Sequence, residues 1–269
     1  MSTRPERPRA EPESQLRGPE TTVTPLADII DEAWRILALA AESRLPLRLI
    51  GGLAIRVHTA GPPRPSLARE FKDIDLVTRR ESTRDVFQFI TSLGYKPDHG
   101  FNTLNAKRAL FYDVQHQRRL DIFIGTFEMC HKVPIADRLD VDPATVPLAE
   151  LLVTKLQIIQ LNDKDLRDIF ALLLDHEVAD HDADTVNGAY IAKLCANDWG
   201  LWRTCKLNVE RARLAIEDTD LSEADRRLLT ERLEALWRHI EGAPKSRRWK
   251  LRNRVGDRVR WYVEPEEVE

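Results

Sequence analysis

Cysteine is scarce and unpatterned in this sequence. The chain of 269 residues has three cysteines, Cys130, Cys195 and Cys205, which are odd in number and widely spaced. That spacing argues against a disulfide framework and is typical of reduced thiols in a cytosolic compartment. No Cys-x-x-Cys pair occurs, so a zinc site of the common structural type is also unsupported.

Long apolar runs are absent as well. Nowhere do roughly 18 apolar residues follow one another, as a membrane-spanning helix requires, and the first twelve residues lack the apolar segment of a signal peptide. The net charge is only -3, so the chain as a whole has no strong attraction to nucleic acid. We therefore expect a soluble, cytoplasmic protein with no membrane partner. Its 42% hydrophobic content is enough to bury a full core.

The composition changes along the chain and predicts four segments. Residues 1–23 have four prolines among charged residues and almost nothing apolar, which predicts a disordered leader. Thr24-Pro25 is expected to begin the first helix, which should run to about Glu42. Strand and helix patterns then alternate, and from about residue 146 the pattern is helical. We predict an α+β core over 24–145, a helical domain over 146–243, and a basic then acidic tail over 244–269.

A strand, a glycine pair and a helix follow one another near residue 50. Leu47 to Ile50 has a strand pattern, and Leu53 to His58 has a helical one after Gly51-Gly52. Glycines at such a junction let backbone amides approach an anion at the positive end of the helix dipole. The unit therefore predicts phosphate binding, although a glycine pair taken alone is more often just a turn.

Two aspartates share one face of the next predicted strand. Asp73 and Asp75 alternate with Ile74 and Leu76, and successive side chains of a strand point to opposite faces. Adjacent carboxylates repel each other, and a divalent cation is the usual reason to find them together. Magnesium, with manganese as the alternative, suits oxygen ligands and substrate phosphates. The alternative is that this Asp-x-Asp is solvent-exposed or lies in a loop, as it does in most proteins.

A third aspartate is predicted on a neighbouring strand. Residues 109–114 and 120–124 are β-rich and flank a polar stretch, which suggests an antiparallel hairpin and hence a mixed sheet. Leu120 and Ile122 would face the core and leave Asp121 on the opposite face. Three carboxylates can hold two metal ions that clamp a triphosphate and activate a hydroxyl. Asp121 is the candidate nearest the nucleophile, as metal ligand or base; the alternative is a hydrogen-bonded structural aspartate.

These motifs together resemble the polymerase-beta-like nucleotidyltransferase superfamily. The resemblance rests on Gly51 to Arg56, Lys72 to Leu76 and Leu120 to Ile122 and covers roughly residues 45–175. Within the superfamily the pattern is similar to the AbiEii toxins and to the aminoglycoside-type nucleotidyltransferases. Both have an arginine-containing loop before Asp-x-Asp, matched here by Arg69. The resemblance implies a mixed β-sheet flanked by helices, a helical C-terminal domain and a nucleoside triphosphate substrate.

The resemblance also assigns residues of the helical half to the nucleotide. Lys155 matches a helical lysine of the toxin branch, while Lys164, Asp165 and Asp168 match its Lys-Asp-x-x-Asp motif. The alternative for Lys155 is a lysine that snorkels out of an apolar helix face. The two aspartates are otherwise typical of the first turn of a helix. One departure is Leu53, which stands where many members have a serine or threonine hydroxyl.

One stretch near the end of the chain is strongly basic. From Lys245 to Arg260 eight basic residues stand against one acid, and Trp249 lies inside the run. Phosphate attraction combined with aromatic stacking is the usual basis of a nucleic-acid contact, so this stretch is a candidate RNA contact. A solvated basic segment packed against the acidic body of the protein explains it equally well.

We therefore expect a magnesium-dependent enzyme that moves a nucleoside monophosphate from a nucleoside triphosphate to a hydroxyl of RNA, protein or a small molecule. If the enzyme is toxin-like, an antitoxin protein is its expected partner. The alternative is a catalytically silent module of the same fold that binds nucleotide or RNA. A metal-dependent glycosyltransferase is disfavoured, because such a fold would normally place a longer parallel-sheet domain before Asp-x-Asp.

Overall fold

The computed structural model describes residues 24–59 and 64–264, so the predicted leader lies outside the described residues. The strands are β1 (Leu47–Ile50), β2 (Asp73–Thr78), β3 (Lys96–Pro97), β4 (Arg108–Asp113), β5 (Arg118–Ile124), β6 (Thr126–Glu128), β7 (Lys132–Pro134), β8 (Val178–Ala179) and β9 (Val186–Asn187). The helices are α1 (Ile29–Glu42), α2 (Gly51–His58), α3 (Thr83–Ser92), α4 (His99–Leu104), α5 (Leu148–Leu156), α6 (Asp163–Asp175), α7 (Gly188–Asn197), α8 (Trp199–Glu217), α9 (Glu223–Gly242) and α10 (Arg247–Val255).

Five strands form one mixed sheet in the order β1-β2-β5-β4-β3. Strands β2 and β5 run parallel, whereas the other neighbouring pairs are antiparallel. The predicted hairpin is confirmed as β4 and β5. Helices fill most of the chain after β7, so the predicted α+β class with a mixed sheet and a helical C-terminal region is confirmed.

The first helix begins later than the sequence predicted. Helix α1 starts at Ile29, and Asp28 is its N-cap, with a carboxylate that accepts hydrogen bonds from the backbone N–H groups of Ile30 and Asp31. The prediction of Thr24 as the cap was wrong, because Asp28 satisfies two free amides of the first turn.

The glycine pair forms the first turn of α2 and does not precede it. Gly51 has a φ of 77°, a left-handed conformation that glycine adopts without steric cost and other residues rarely adopt. The chain can therefore turn from β1 into α2 with no intervening loop.

The helical half packs directly on the sheet half. Helices α5 and α6 both contact α2. The segment before α5 runs beside β1, where the Leu49 N–H donates to the Ala144 carbonyl and the Val146 N–H donates to the Leu49 carbonyl, each at 2.9 Å. The buried apolar residues of both halves belong to one continuous core. A domain boundary near residue 146 stays a prediction.

Within residues 24–59 and 64–264, no helix is long and apolar enough to cross a bilayer.

Candidate functional site

The three predicted aspartates lie on the same face of two adjacent strands. In the parallel pairing of β2 with β5, Asp75 is the direct partner of Asp121, and Asp73 is the partner of Arg119. The intervening Ile74 and Leu120 are fully buried on the other face. The sheet therefore brings Asp73, Asp75 and Asp121 together, as strand alternation predicted.

Two arginines that the sequence pattern did not single out neutralise Asp121. Arg108 reaches the Oδ1 atom through Nη2 at 2.6 Å, and Arg119 reaches Oδ2 through Nε at 2.9 Å. Arg119 also lies 3.7 Å from the Asp73 carboxylate. Asp121 is fully buried, and a buried carboxylate requires such partners. The site is thus a cluster of three carboxylates and two guanidinium groups.

The carboxylates of this cluster are hard to ionise together. Burial, followed by the negative charge of Asp121, raises the pKa of Asp75 to about 7. Burial also raises the pKa of Asp121, although Arg108 and Arg119 oppose the shift. A carboxylate with a raised pKa gains most from any further cation placed beside it.

The glycine pair fits closely against two charged side chains. A Cβ atom on Gly51 would lie 2.4 Å from Asp75 Oδ2, and one on Gly52 would lie 2.7 Å from an Nη atom of Arg69. Position 51 therefore requires glycine, because its φ is also positive, whereas a side chain at position 52 would have to displace the Arg69 guanidinium. The N-terminus of α2, with its positive dipole end, sits between a carboxylate and a guanidinium.

Arg69 and Lys155 are joined through one shared carboxylate of α6. The Asp168 Oδ2 atom lies 2.7 Å from Arg69 Nη1 and 2.9 Å from Lys155 Nζ, and Asp165 lies 3.0 Å from the same Nζ. Burial alone would lower the pKa of Lys155, but the two carboxylates outweigh it and raise that pKa. Lys155 is therefore a charged amine that is held in place, not a lysine that extends freely into solvent.

Two other predicted positions lie outside this cluster. Lys164 is exposed at the start of α6, where its backbone N–H donates to the Asn162 side chain. Leu53 is 2% exposed and belongs to the core. The side chain at position 53 therefore packs into the core. A serine or threonine hydroxyl there would not face the cleft between the carboxylate cluster and the Arg69–Lys155 group in this conformation.

Some of the carboxylate oxygens in this cluster are suited to bind a divalent cation, and others are already paired. Asp73 and Asp75 offer oxygen ligands with unfavourable mutual repulsion, as magnesium sites do. Both oxygens of Asp121 face arginines, and among the described residues no group of three His, Cys, Asp or Glu side chains is close enough to form a ready metal site. The assignment of all three aspartates as metal ligands stays a prediction.

A small cavity adjoins the glycine pair. Its volume is about 60 Å³, and it lies between α2, the stretch before β2, and α6. Gly52, Arg69 and Asp168 border it, together with three further arginines, Arg56, Arg64 and Arg167. Asp168 and Asp175 also border the cavity and pair with Arg69 and Arg64, so four guanidinium groups face two carboxylates and the excess positive charge favours an anion.

Side chains of the basic stretch near the chain end make contacts within the folded protein. The Lys245 amine donates to backbone carbonyls at the end of α9, including that of Ala243 at 3.0 Å. Trp249 is 8% exposed and packs edge-to-face on Trp202. The Lys245 amine is therefore not free for an RNA contact, and the RNA contact over the whole stretch stays a prediction.

No protein-family model matches the chain, and no curated protein matches it in sequence. Among solved structures, the lincosamide antibiotic adenylyltransferase LnuA with bound lincomycin is similar, with a TM-score of 0.40 and 21% identity over 53% of this chain and 94% of that one. The antibiotic-resistance factor ANT(2'')-Ia is similar with a TM-score of 0.36 and 16% identity over 80% of this chain and 97% of that one.

Because both TM-scores are below 0.5 and both identities are below 25%, the function proposed next rests on the residues of the site.

Proposed function

We propose that this protein transfers a nucleoside monophosphate from a nucleoside triphosphate to a hydroxyl group. The observation that carries the proposal is the pairing of Asp75 with Asp121 on one sheet face, with Gly51 pressed against Asp75. Carboxylates beside a glycine helix N-terminus combine the two needs of this reaction, which are cation-binding oxygens and an anion-binding backbone.

Arg69 and Lys155 are the two cations that we propose bind the triphosphate. Arg69 contacts the first turn of α2, and Lys155 is fixed beside it through Asp168. Amides of α2, the Arg69 guanidinium and the Lys155 amine would neutralise the β- and γ-phosphates that leave as pyrophosphate. Asp165 holds Lys155 from the other side, and the exposed Lys164 would act at the edge of the cleft.

Asp121 is proposed as the group nearest the attacking hydroxyl. The acceptor oxygen bonds to the α-phosphorus, the bond from that phosphorus to the bridging oxygen breaks, and pyrophosphate departs with the bonding electrons. The acceptor proton passes to a carboxylate of the cluster, for which Asp121 is the candidate, and one of its oxygens must first part from its arginine. A divalent cation held by Asp73, Asp75 and Asp121 would supply charge neutralisation at the phosphates.

The position of the radioactive label in the nucleotide tests the reaction class. ATP, CTP, GTP and UTP labelled at the α-phosphate are incubated with magnesium, the protein, and total RNA, cell extract or a panel of hydroxylated small molecules. Covalent transfer from the α-label, and none from the γ-label, is expected. Transfer from the γ-label would indicate a kinase and contradict the proposal.

The acceptor panel also decides between the biological roles. Label on RNA or protein would favour a toxin with an antitoxin partner, whereas label on a small molecule would favour an antibiotic-modifying or related enzyme. The expected loss of transfer in Asp121→Asn and Asp73→Asn separates this protein from a contaminating activity, because both changes keep side-chain volume and remove charge.

A silent nucleotide-binding module is the second candidate. The observation that favours it is the double arginine pairing of Asp121, which already compensates the charge that a metal ion would compensate. This candidate predicts saturable nucleotide binding with no label transfer to any acceptor class.

A further inference from the structure

A second pocket lies apart from the carboxylate cluster. It has a volume of about 400 Å³ and is enclosed by the end of α7, the start of α8, helix α10 and residues 260–263; we call it the tail pocket. Its volume falls within the usual range of roughly 300–1,000 Å³ for small-ligand sites. No residue of the carboxylate cluster or of the Arg69–Lys155 group borders it.

Aromatic rings form much of the wall of the tail pocket. Trp199 and Trp249 are 4% and 8% exposed, whereas Trp261 and Tyr262 are only partly buried. Hydrogen bonds fix the wall, since the Trp199 Nε1–H donates to Asn253 and the Trp261 Nε1–H donates to Thr204. The Trp261 ring is therefore held in place, and Tyr262 packs edge-to-face against it with the Arg260 guanidinium over its ring. Partly exposed rings of this kind are suited to stacking against a planar group.

Three arginines give the tail pocket a positive charge. The Arg252 guanidinium is occupied within the protein, because it donates to the carbonyls of Gly256 and Val259 and lies over the Trp199 ring. Arg260 is paired with Glu264. Arg248 is exposed and makes no ion pair or hydrogen bond with any residue that the structure describes, so it is the cation available to a ligand.

The remaining polar groups also favour a ligand that accepts hydrogen bonds. Asp198 is the single acid bordering the pocket among the described residues, and its carboxylate already caps α8 by accepting from the Leu201 N–H. The Nε1–H of Trp249 is buried without an acceptor in the described structure. An acceptor group of a ligand that reached this donor would satisfy it.

We propose that the tail pocket binds a 5′-nucleotide unit, with its phosphate facing Arg248 and its base stacked on one of the two partly exposed rings, Trp261 and Tyr262, and against the edge of the other, since the two rings stand at 77°. Planar rings with a free guanidinium suit a ligand that is both flat and anionic. The unit is either a free nucleotide or one nucleotide of a single-stranded RNA. The site does not depend on the proposed transfer reaction, since the two sets of residues are separate.

Tryptophan fluorescence reports on this pocket, because three of the chain's six tryptophans line it. AMP is titrated into the full chain in the presence of EDTA, which withholds divalent cations from the carboxylate cluster. Saturable quenching is expected with AMP, about tenfold weaker binding with adenosine, and no quenching with inorganic phosphate. Tighter binding of a single-stranded oligoadenylate than of AMP identifies RNA as the source, and equal binding identifies the free nucleotide.

Two neighbouring arginines of α10 provide a matched pair of variants. Arg248→Gln should weaken AMP binding about fivefold, and Tyr262→Leu should weaken it about tenfold. Arg247→Gln changes an equally exposed charge one residue away, outside the pocket border, and should leave the affinity unchanged.

The proposal is overturned if neither AMP nor the oligonucleotide quenches the fluorescence. Equal losses of AMP affinity in Arg247→Gln and Arg248→Gln would also overturn it. Such a result would indicate that the basic helix attracts the nucleotide by its charge alone and that the pocket plays no part. Failure of label transfer in the assay described above, with AMP binding intact here, would reject the transfer reaction alone.

Discussion

At the scale of single residues, the site depends on the close approach of Gly51 to Asp75. Gly51→Ala combines two costs: a φ of 77°, which costs an L-residue about 1–2 kcal/mol, and a Cβ atom 2.4 Å from Asp75 Oδ2. Displacement of Asp75 should lower label transfer about a hundredfold, because misplacement of a reacting group by about 1 Å has that effect. Transfer rates and free energies of unfolding measure the two costs separately.

Gly125 provides the control for backbone strain. Its φ is 80°, and a Cβ atom there would have no neighbour within 4 Å. Gly125→Ala should therefore show the stability loss without the loss of transfer. Similar transfer rates in the two variants would show that the contact with Asp75 is unimportant.

We predict that Arg119 supplies part of the positive charge that a metal ion would otherwise supply to the carboxylate cluster. Arg119→Gln removes a partner of Asp121 and Asp73, so carboxylate repulsion should lower the free energy of unfolding by about 2 kcal/mol in EDTA. Magnesium should then stabilise the variant more than the wild type, because a ligand stabilises a protein in proportion to its affinity for the folded state. Thermal unfolding with and without magnesium measures the difference.

The exposed Arg84 of α3 is a control for this experiment. Arg84→Gln should respond to magnesium as the wild type does. If Arg119→Gln gained no more from magnesium than Arg84→Gln, the carboxylate cluster would not be a cation site.

Much of the site was predictable because side-chain direction on a strand is a local property. Alternation correctly placed Asp73, Asp75 and Asp121 on one face, and the same rule would have selected Arg119, two residues before Asp121. Arg108 was not predictable, since its contact with Asp121 depends on the register of β4 against β5. The contact of Gly51 with Asp75 likewise depends on the register that places Ile50 opposite Asp75.

At the scale of elements, a buried acid connects α5 with the stretch after β7 and with α7. Glu150 is fully buried, lies 3.3 Å from Arg138 Nε, and interacts with Tyr190. Burial raises its pKa from 4.5 to about 7, although Arg138 opposes the shift. A folded-state pKa above the unfolded value contributes stability that is present below about pH 4.5 and is lost as the pH rises through about 7.

Replacement of Glu150 should remove this pH dependence. The stability of the wild type relative to Glu150→Gln should fall between pH 5 and pH 8 by on the order of 3 kcal/mol. Chemical unfolding of both proteins at the two pH values measures the change. A difference that does not vary with pH would show that Glu150 is ionised throughout this range.

The element boundaries were less predictable than the elements. The strand of Asp73, the hairpin and the glycine helix were all predicted, because each has a clear period or a turn signal. The start of α1 was misplaced, since the choice between Thr24 and Asp28 as a cap depends on where the preceding chain packs.

At the scale of the whole molecule, the sheet half and the helical half share one core. Leu49 of β1 exchanges backbone hydrogen bonds with the segment before α5, and Lys155 and Arg69 meet on Asp168 across the two halves. We therefore expect one cooperative unfolding transition, with circular dichroism and tryptophan fluorescence changing together. Two separated transitions would instead support independent domains that meet near residue 146.

The most direct test of the central account is binding of Mn²⁺ together with a non-hydrolysable nucleoside triphosphate, followed by electron paramagnetic resonance. The account predicts that the wild type binds Mn²⁺ and nucleotide jointly, that Asp75→Asn loses the Mn²⁺, and that the exposed control Glu231→Gln on α9 keeps it. Equal Mn²⁺ binding by wild type and Asp75→Asn, or none by the wild type with any nucleotide, would contradict a cation and nucleotide site at these carboxylates.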